Sequence, residues 1–321
     1  MTPVMRGHGG FSFVTTAWLL VTAANQVKAQ ALTLPGGEGY IGFTYQMIDN
    51  TGHRRTNGLL VPRGRSINRS LYLEAEYAFT NRFSVTAGLP YVLAKYTDSN
   101  PPASPIPFLP EDQCRCWQRG WQDLSITARY NLAGGASGAF ALTPSLSLGA
   151  PSHDYNFRGE AALGRNLREA RIGIDAAWRL EVISRNLSVV GGYSYAFVER
   201  VTGISTNRSN ARVQGIYLVK RKLSLSGQAL WQRTHGGLRF GSPTATDLPF
   251  PGEVNTQELM SQHDRLMRDN YWHAGGGLGY SFPQFDVFAT YIAFVGGTDT
   301  HAGGALTISF SVPFRLSRSH R

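Results

Sequence analysis

Long apolar runs are missing from most of this sequence. After residues 11–24 no stretch approaches the 18 apolar residues of a membrane-spanning helix, so helical spans are not expected. Acidic residues are few as well, because 21 Asp and Glu stand against 31 Lys and Arg, which gives a net charge of +10. No motif of stacking aromatics accompanies the basic excess, so nucleic acid is not an expected partner.

The basic residues are concentrated in connections, where they suit anionic lipid headgroups or surface sugars. The first long connection is predicted to contain His53, Arg54, Arg55, Arg63, Arg65 and Arg69.

Cysteine is nearly absent. The chain has only Cys114 and Cys116, with one residue between them. Two thiolates without a nearby histidine fall short of the four ligands of a structural zinc site. In an exported protein the pair favours a local disulfide, although a ring closed across one residue is strained.

A dyad repeat runs from Tyr40 to Phe314. In each unit about ten residues alternate apolar with polar or small ones, as in the run from Leu124 to Leu132. Successive residues of a strand face opposite sides, and ten residues tilted by roughly 45° cover the apolar band of a membrane barrel, about 25 Å. The pattern predicts an all-β fold, a twelve-stranded antiparallel up-and-down β-barrel that crosses a membrane.

The predicted strands are separated by connections of alternating length. Short even-numbered and long odd-numbered connections are typical of outer-membrane barrels, which have periplasmic turns and extracellular loops. The strands are predicted at Gly39–Met47, Leu71–Phe79, Phe83–Leu93, Trp121–Leu132, Ala139–Ala150, Arg171–Leu180, Leu187–Phe197, Ala211–Val219, Leu223–Arg233, Tyr271–Phe282, Phe285–Val295 and Ala305–Phe314. Aromatic residues near their ends predict interface girdles: Tyr91, Trp121, Tyr130, Trp178, Phe197, Trp231, Trp272, Phe282 and Phe314.

The first 29 residues read as a secretory signal peptide. Arg6 and His8 precede the apolar segment 11–24, and Val27-Lys28-Ala29 offers small residues before a cleavage point. We therefore expect residues 1–29 to be removed and residues 30–321 to form one barrel domain in the bacterial outer membrane. The apolar last strand, which closes with Phe314, resembles the signal that barrel-insertion machinery recognises.

Charged residues on the polar faces of the strands are predicted to line the lumen, since a charge facing lipid costs several kcal/mol near mid-membrane. They serve either as a salt-bridge network that fills the barrel or as a selectivity lining. These residues are Glu74, Glu76, Asp123, Arg129, Asp175, Arg179 and Arg212.

The longest connection, 234–270, contains a predicted amphipathic helix from Asn255 to Arg268. Its apolar residues Leu259, Met260, Leu266 and Met267 lie at helical spacing. Such a helix either gates the mouth of the barrel or rests on its rim.

A hydrolase is the least favoured class. His263, His273 and His301 each lie within four residues of Ser261, Asp269 or Asp299, but a triad needs three converging groups. We expect no enzyme activity.

Three segments resemble the outer-membrane family of the phenol meta-pathway. They are 79–85 (FTNRFSV), 88–91 (GLPY) and 120–130 (GWQDLSITARY), and 148–155 matches the next block loosely. Gln122 replaces a more usual glycine, and Pro151-Ser152-His153 replaces a proline-threonine-glycine element. The resemblance implies a barrel that passes small hydrophobic or aromatic compounds, and it carries over no binding residue.

The sequence therefore predicts a passive outer-membrane channel or transporter for small molecules that needs no cofactor and contacts outer-membrane lipid. A structural or adhesive surface barrel with basic loops is the alternative, and an outer-membrane hydrolase is third.

Overall fold

Twelve antiparallel strands form a single closed sheet. The structure is a computed structural model that describes residues 33–61, 64–97, 115–134, 139–239 and 262–316, without the side chain of His263. The strands are β1 (Glu38–Arg54), β2 (Arg65–Ala78), β3 (Phe83–Thr97), β4 (Gln118–Trp121 continued by Asp123–Tyr130), β5 (Phe140–Pro151), β6 (Glu169–Arg179), β7 (Leu187–Val198), β8 (Thr206–Lys220), β9 (Leu223–Gly236), β10 (Asn270–Ser281), β11 (Asp286–Thr298) and β12 (Thr300–Arg315).

Each strand pairs with the next one in sequence, and the last strand pairs with the first. The β12–β1 ladder runs from the pair Glu38–Arg315 to the pair Arg54–Thr300. The sheet therefore closes on itself, which satisfies the backbone of the part of a sheet that is placed in lipid. All twelve predicted strands are present, and the barrel fold is confirmed.

The outer wall carries the apolar residues of the dyad pattern. Ile126 on β4 is 47% exposed and its neighbour Leu148 on β5 is 57% exposed. Their cross-strand register places both on the same outer face, together with Ala87 on β3. An apolar face of this extent, turned outward, is the surface that a bilayer solvates.

Aromatic rings form two levels on this outer wall. One level lies near the even-numbered connections and includes Tyr130 and the contacting pair Phe140 and Trp178. The other includes the pairs Tyr91–Trp121 and Trp231–Trp272. On β4, Trp121 and Tyr130 are nine residues apart, or about 21 Å along the normal of a barrel whose strands tilt by roughly 45°. The spacing matches the apolar band.

The strands extend beyond the predicted ends on the side of the odd-numbered connections. His53 and Arg54 belong to β1, and Arg65 and Arg69 belong to β2, so their assignment to a connection was wrong. Backbone pairing continues above the apolar band, where a strict alternation of apolar and polar side chains is no longer required.

The eleventh connection also differs from the prediction of a long loop. Asp299, with a φ of 53°, is the only residue between β11 and β12. The ladder between these two strands nevertheless ends at Ala293 and Gly304. Above that point β11 pairs only with β10, and β12 pairs only with β1. Both segments therefore stay in strand conformation although they do not pair with each other.

A β-bulge at Thr51 changes which side chains of β1 face inward. The register of the β1–β12 ladder shifts between Asn50 and Gly52. Without the extra residue His53 would face outward, whereas it is buried with 3% of its surface exposed and lies opposite His301. The bulge therefore turns this histidine toward the lumen.

Outside the barrel strands, Leu60–Val61 forms a two-residue strand beside the end of β1, and α1 (His263–Leu266) is a single helical turn in the ninth connection. No helix in the described ranges is long and apolar enough to span a membrane.

Candidate functional site

The first cluster in the lumen joins the predicted residues Glu74, Glu76 and Arg129. Arg129 Nη1 donates to Thr86 Oγ1 at 2.6 Å and to Glu76 Oε2 at 3.4 Å. Tyr40 donates from its hydroxyl to Glu74 Oε1 at 2.6 Å. These side chains come from β1 to β4, so four neighbouring strands are cross-linked from the inside.

The second cluster contains the predicted residues Asp175 and Arg212. Arg212 Nη2 donates to Asp175 Oδ1 at 2.8 Å across β7. The strand between them has Gly192 at this level, and a Cβ there would lie 2.1 Å from Asp175 Oδ1. The glycine is needed for the close approach of the pair. Arg179 lies lower, near the even-numbered connections, and contacts Glu181 at 3.4 Å.

A third cluster was not predicted. Glu169 contacts Arg171 at 2.7 Å and Arg208 at a shorter distance, while Arg165 lies 4.0 Å from Asp269. Glu169 and Arg171 fit the same dyad rhythm as the predicted lining, which is a signal that sequence reasoning had available. The segment that supplies Arg165 carries no such rhythm.

The fifth connection, residues 152–168, folds into the barrel and is called the inner loop here. Tyr155, Leu163 and Leu167 are buried, with at most 6% of their surface exposed. Tyr155 and Leu163 pack against Val92 and Ala94 of β3. Leu167 packs against the inner face of β7. The inner loop therefore occupies the interior beneath the odd-numbered connections and narrows the lumen.

Two contacts fix the inner loop to β4. The Tyr155 hydroxyl donates to the carboxylate of Asp123, one of the predicted lumen residues, and it accepts a hydrogen bond from Asn166 N at 2.9 Å. Burial, together with the nearby charge of Asp123, raises the pKa of Tyr155 above its ordinary value. Gln122 Nε2 donates to Leu163 O at 2.8 Å. Gln122, which interrupts β4, thus holds the loop.

The far end of the inner loop reaches β1 and β12. Glu160 Oε2 lies 3.3 Å from His53 Nε2 and 3.4 Å from His301 Nε2. Ser66 Oγ on β2 donates to Glu160 O at 2.9 Å. Burial alone would raise the pKa of Glu160, but the hydrogen bonds and charges of His301 and His53 outweigh it and lower that pKa below the ordinary value.

Asp264 and Arg265, near the end of the ninth connection, contact the inner loop. Arg265 Nε donates to Arg165 O at 2.9 Å, and its guanidinium lies 4.3 Å from the ring centre of Phe157. Asp264 Oδ2 accepts from Gly159 N at 2.6 Å. The described end of this connection therefore packs on the inner loop.

The structure describes only residues 262–268 of the helix predicted from Asn255 to Arg268. In that part α1 forms one turn, and the helix ends there because Met267 is extended with a ψ of 137°. Leu266 and Met267 are buried with Ile204 and Leu238 in a small cluster of connections. The apolar side chains of Leu266 and Met267 thus pack the ninth connection against the seventh, which contains Ile204. Leu259 and Met260 lie outside the described residues.

One level of the lumen wall on β9 to β11 carries aromatic and aliphatic side chains. The inward positions of β9 to β11 at one level are Leu230, His273 and Phe294. His273 packs edge-on against Tyr271 and Phe294, with ring centres 4.5 and 5.8 Å apart. Ile292 follows on the same inner face of β11. The ion pairs described above lie mainly on β2 to β8, but Asp269 directly precedes β10 and the Arg54 guanidinium lies 5.8 Å from the centre of the Phe294 ring, so this sector is only partly apolar.

The remaining candidate residues lie away from the lumen centre or outside the described ranges. Cys116 is disulfide-bonded, and Cys114 lies outside the described residues. Ser261 and the side chain of His263, members of the hydrolase alternative, are outside as well. His301 contacts Glu160, as described above.

These features define the fold class, a β-barrel of the outer-membrane type. The chain is similar to an outer membrane channel from Pseudomonas putida F1, with 16% identity over 89% of this chain and 98% of that one and a TM-score of 0.66. A weaker likeness is to the KdgM porin in complex with disordered oligogalacturonate, with 10% identity over 86% of this chain and 99% of that one and a TM-score of 0.47. Another is to a mutant of the TodX monoaromatic hydrocarbon channel, with 8% identity over 94% of this chain and 95% of that one and a TM-score of 0.40. No protein-family model and no curated protein sequence matches the chain.

Proposed function

We propose that this protein is a passive channel of the bacterial outer membrane for small molecules, with aromatic or hydrophobic solutes among them. The observation that carries the proposal is the mixed lining of the lumen, in which ion pairs such as Asp175–Arg212 share the inner face of the barrel with the apolar side chains of Phe294 and Ile292. A polar group and an apolar ring each find a matching surface there. The similar fold of the Pseudomonas putida channel supports the same function.

The inner loop sets the size limit in this proposal. Its contacts at Asp123 on one side and at His53 and His301 on the other carry it across the lumen. Solutes pass beside the loop or after it moves, and no energy source or cofactor is required because a gradient drives the flux. The lumen charges act as a selectivity lining as well as filling the interior.

The family and processing are proposals of the same kind. The segments at 79–91 and 120–130 support membership of the phenol meta-pathway outer-membrane family, and residues 27–29 support removal of a signal peptide. Lipid and the insertion machinery are the partners that a barrel of this type requires.

Uptake by proteoliposomes tests the proposal. Entry of benzoate and of an uncharged sugar of similar size would be compared for the natural protein and for Phe294→Ser. We expect flux of both solutes in the natural protein and a selective loss of benzoate flux in the variant. Tyr291→Ser is the matched control, because Tyr291 lies on the same strand with 57% of its surface exposed on the outside.

An absence of flux for every solute would exclude a channel. That result would instead favour the surface barrel with basic connections.

A further inference from the structure

Three side chains of types that can ligate a metal ion converge at the end of the lumen near the odd-numbered connections. His53 comes from β1, His301 from β12 and Glu160 from the inner loop. One ligand atom from each lies within 4.8 Å of the other two. The inner loop connects β5 to β6. Strands β2 to β4 lie between β5 and β1, and strands β7 to β11 lie between β6 and β12, so the histidines come from a distant part of the barrel wall.

The spacing of these atoms fits a tetrahedral metal ion. His53 Nε2 and His301 Nε2 lie 3.3 and 3.4 Å from the same oxygen, Glu160 Oε2. Hydrogen bonds between such groups are usually about 2.7–2.9 Å long. With zinc–ligand bonds of about 2.0–2.1 Å, the edge of a tetrahedron is about 3.3–3.4 Å. The two carboxylate–imidazole distances agree with that edge, and the ligand atoms of the two histidines lie within 4.8 Å of each other.

The surrounding structure holds the three groups in place. The bulge at Thr51 turns His53 inward, and the two imidazole rings meet edge to face with centres 4.4 Å apart. The hydrogen bond from Ser66 Oγ to Glu160 O and the one from Gly159 N to Asp264 Oδ2 fix the loop on both sides of the carboxylate. The three side chains are therefore already held near each other, so metal binding would lose little free energy in ordering them.

We propose that His53, His301 and Glu160 form a binding site for a divalent transition-metal ion of the zinc type. Two imidazoles and one carboxylate are the ligand set of many three-residue zinc sites, with the fourth position open to water. Calcium and magnesium are disfavoured, since they prefer oxygen ligands. The bound ion would tie the inner loop to the wall formed by β1 and β12.

Binding to the full-length mature barrel, purified in detergent without a histidine tag, tests the site. Calorimetric titration with Zn²⁺ is expected to give one ion per barrel. Co²⁺ is expected to give the intense visible absorption of tetrahedral coordination. Each of the variants His53→Ala, His301→Ala and Glu160→Gln is expected to weaken Zn²⁺ affinity by more than about tenfold, since even indirect partners of a ligand cost that much.

His153→Ala is the matched control, because His153 is an exposed histidine on the same loop. The heat-dependent mobility of the barrel in detergent gels verifies that each variant is folded. Zn²⁺ is also expected to slow amide hydrogen exchange in the inner loop of the natural protein, a measurement independent of transport. An absence of binding, or binding that all three variants retain, would overturn the proposal.

Discussion

The Tyr155 hydroxyl donates a hydrogen bond to the Asp123 carboxylate and thereby joins the inner loop to the barrel wall at β4. A hydrogen bond to a charged group contributes about 1.5–3 kcal/mol. The bond is therefore strong enough to decide how often the loop leaves its position.

Tyr155→Phe removes this bond and keeps the ring. We expect the population of barrels with a displaced loop to rise by roughly one to two orders of magnitude, the equivalent of about 1.5–3 kcal/mol. Single-channel recordings in planar bilayers would show it as more frequent steps to high conductance. Tyr130→Phe, at the lipid interface, is the control, and identical traces for the two variants would contradict a loop held by Tyr155.

Glu169→Gln tests the lumen charges. The carboxylate of Glu169 contacts Arg171 and Arg208. Its neutralisation removes one negative charge and leaves the positive charges of both arginines in the lumen. We expect the reversal potential in a KCl gradient to shift toward the chloride potential. Glu181→Gln, half-exposed in the turn after β6, should leave the potential unchanged. A shift of equal size in both variants would show that the effect is not local to the lumen.

Gly192→Ala tests the close approach of Asp175 and Arg212. The new Cβ would lie 2.1 Å from Asp175 Oδ1, so the ion pair must separate. Overpacking of this kind costs about 1–3 kcal/mol, which equilibrium unfolding from liposomes in urea would measure. Gly191→Ala is the adjacent control, because the nearest atom to its Cβ is 4.0 Å away. Equal stability of the two variants would contradict the predicted cost.

Ile126→Arg tests the lipid-facing wall. Ile126 lies four residues above Tyr130, near the middle of the apolar band, with its side chain on the outside. An arginine at mid-membrane is expected to lower the free energy of unfolding by about 2–4 kcal/mol. Val182→Arg provides the comparison, because Val182 is fully exposed in a turn outside the strands. A harmless Ile126→Arg would mean that this face does not contact lipid.

The sequence was sufficient for the barrel because its signal is local. Ile126 and its neighbours alternate with polar residues, and a strand converts that period directly into two faces. The same rule predicts that the side chains of Glu76, Asp175 and Arg212 face inward. It did not reveal that the strands continue through His53, because pairing above the membrane needs no alternation.

The inner loop depends on contacts between distant parts of the chain, and no local pattern announces them. Glu160 meets His301 from 141 residues away, and Gln122 meets Leu163 from 41. The bulge at Thr51 has no distinct composition either, although it decides where His53 points. The alternation along the strands therefore predicts which residues line the lumen, but no local pattern predicts the segment that narrows it.

The aromatic and aliphatic side chains on the inner face of β9 to β11 can orient a molecule inside the barrel. A flat ring packed against Phe294 would lie beside the Arg54 guanidinium, which is 5.8 Å from the centre of the Phe294 ring, and an anionic substituent would point toward that charge. Such a molecule would travel in one preferred orientation, so positional isomers of equal size and charge would differ in their rate of permeation.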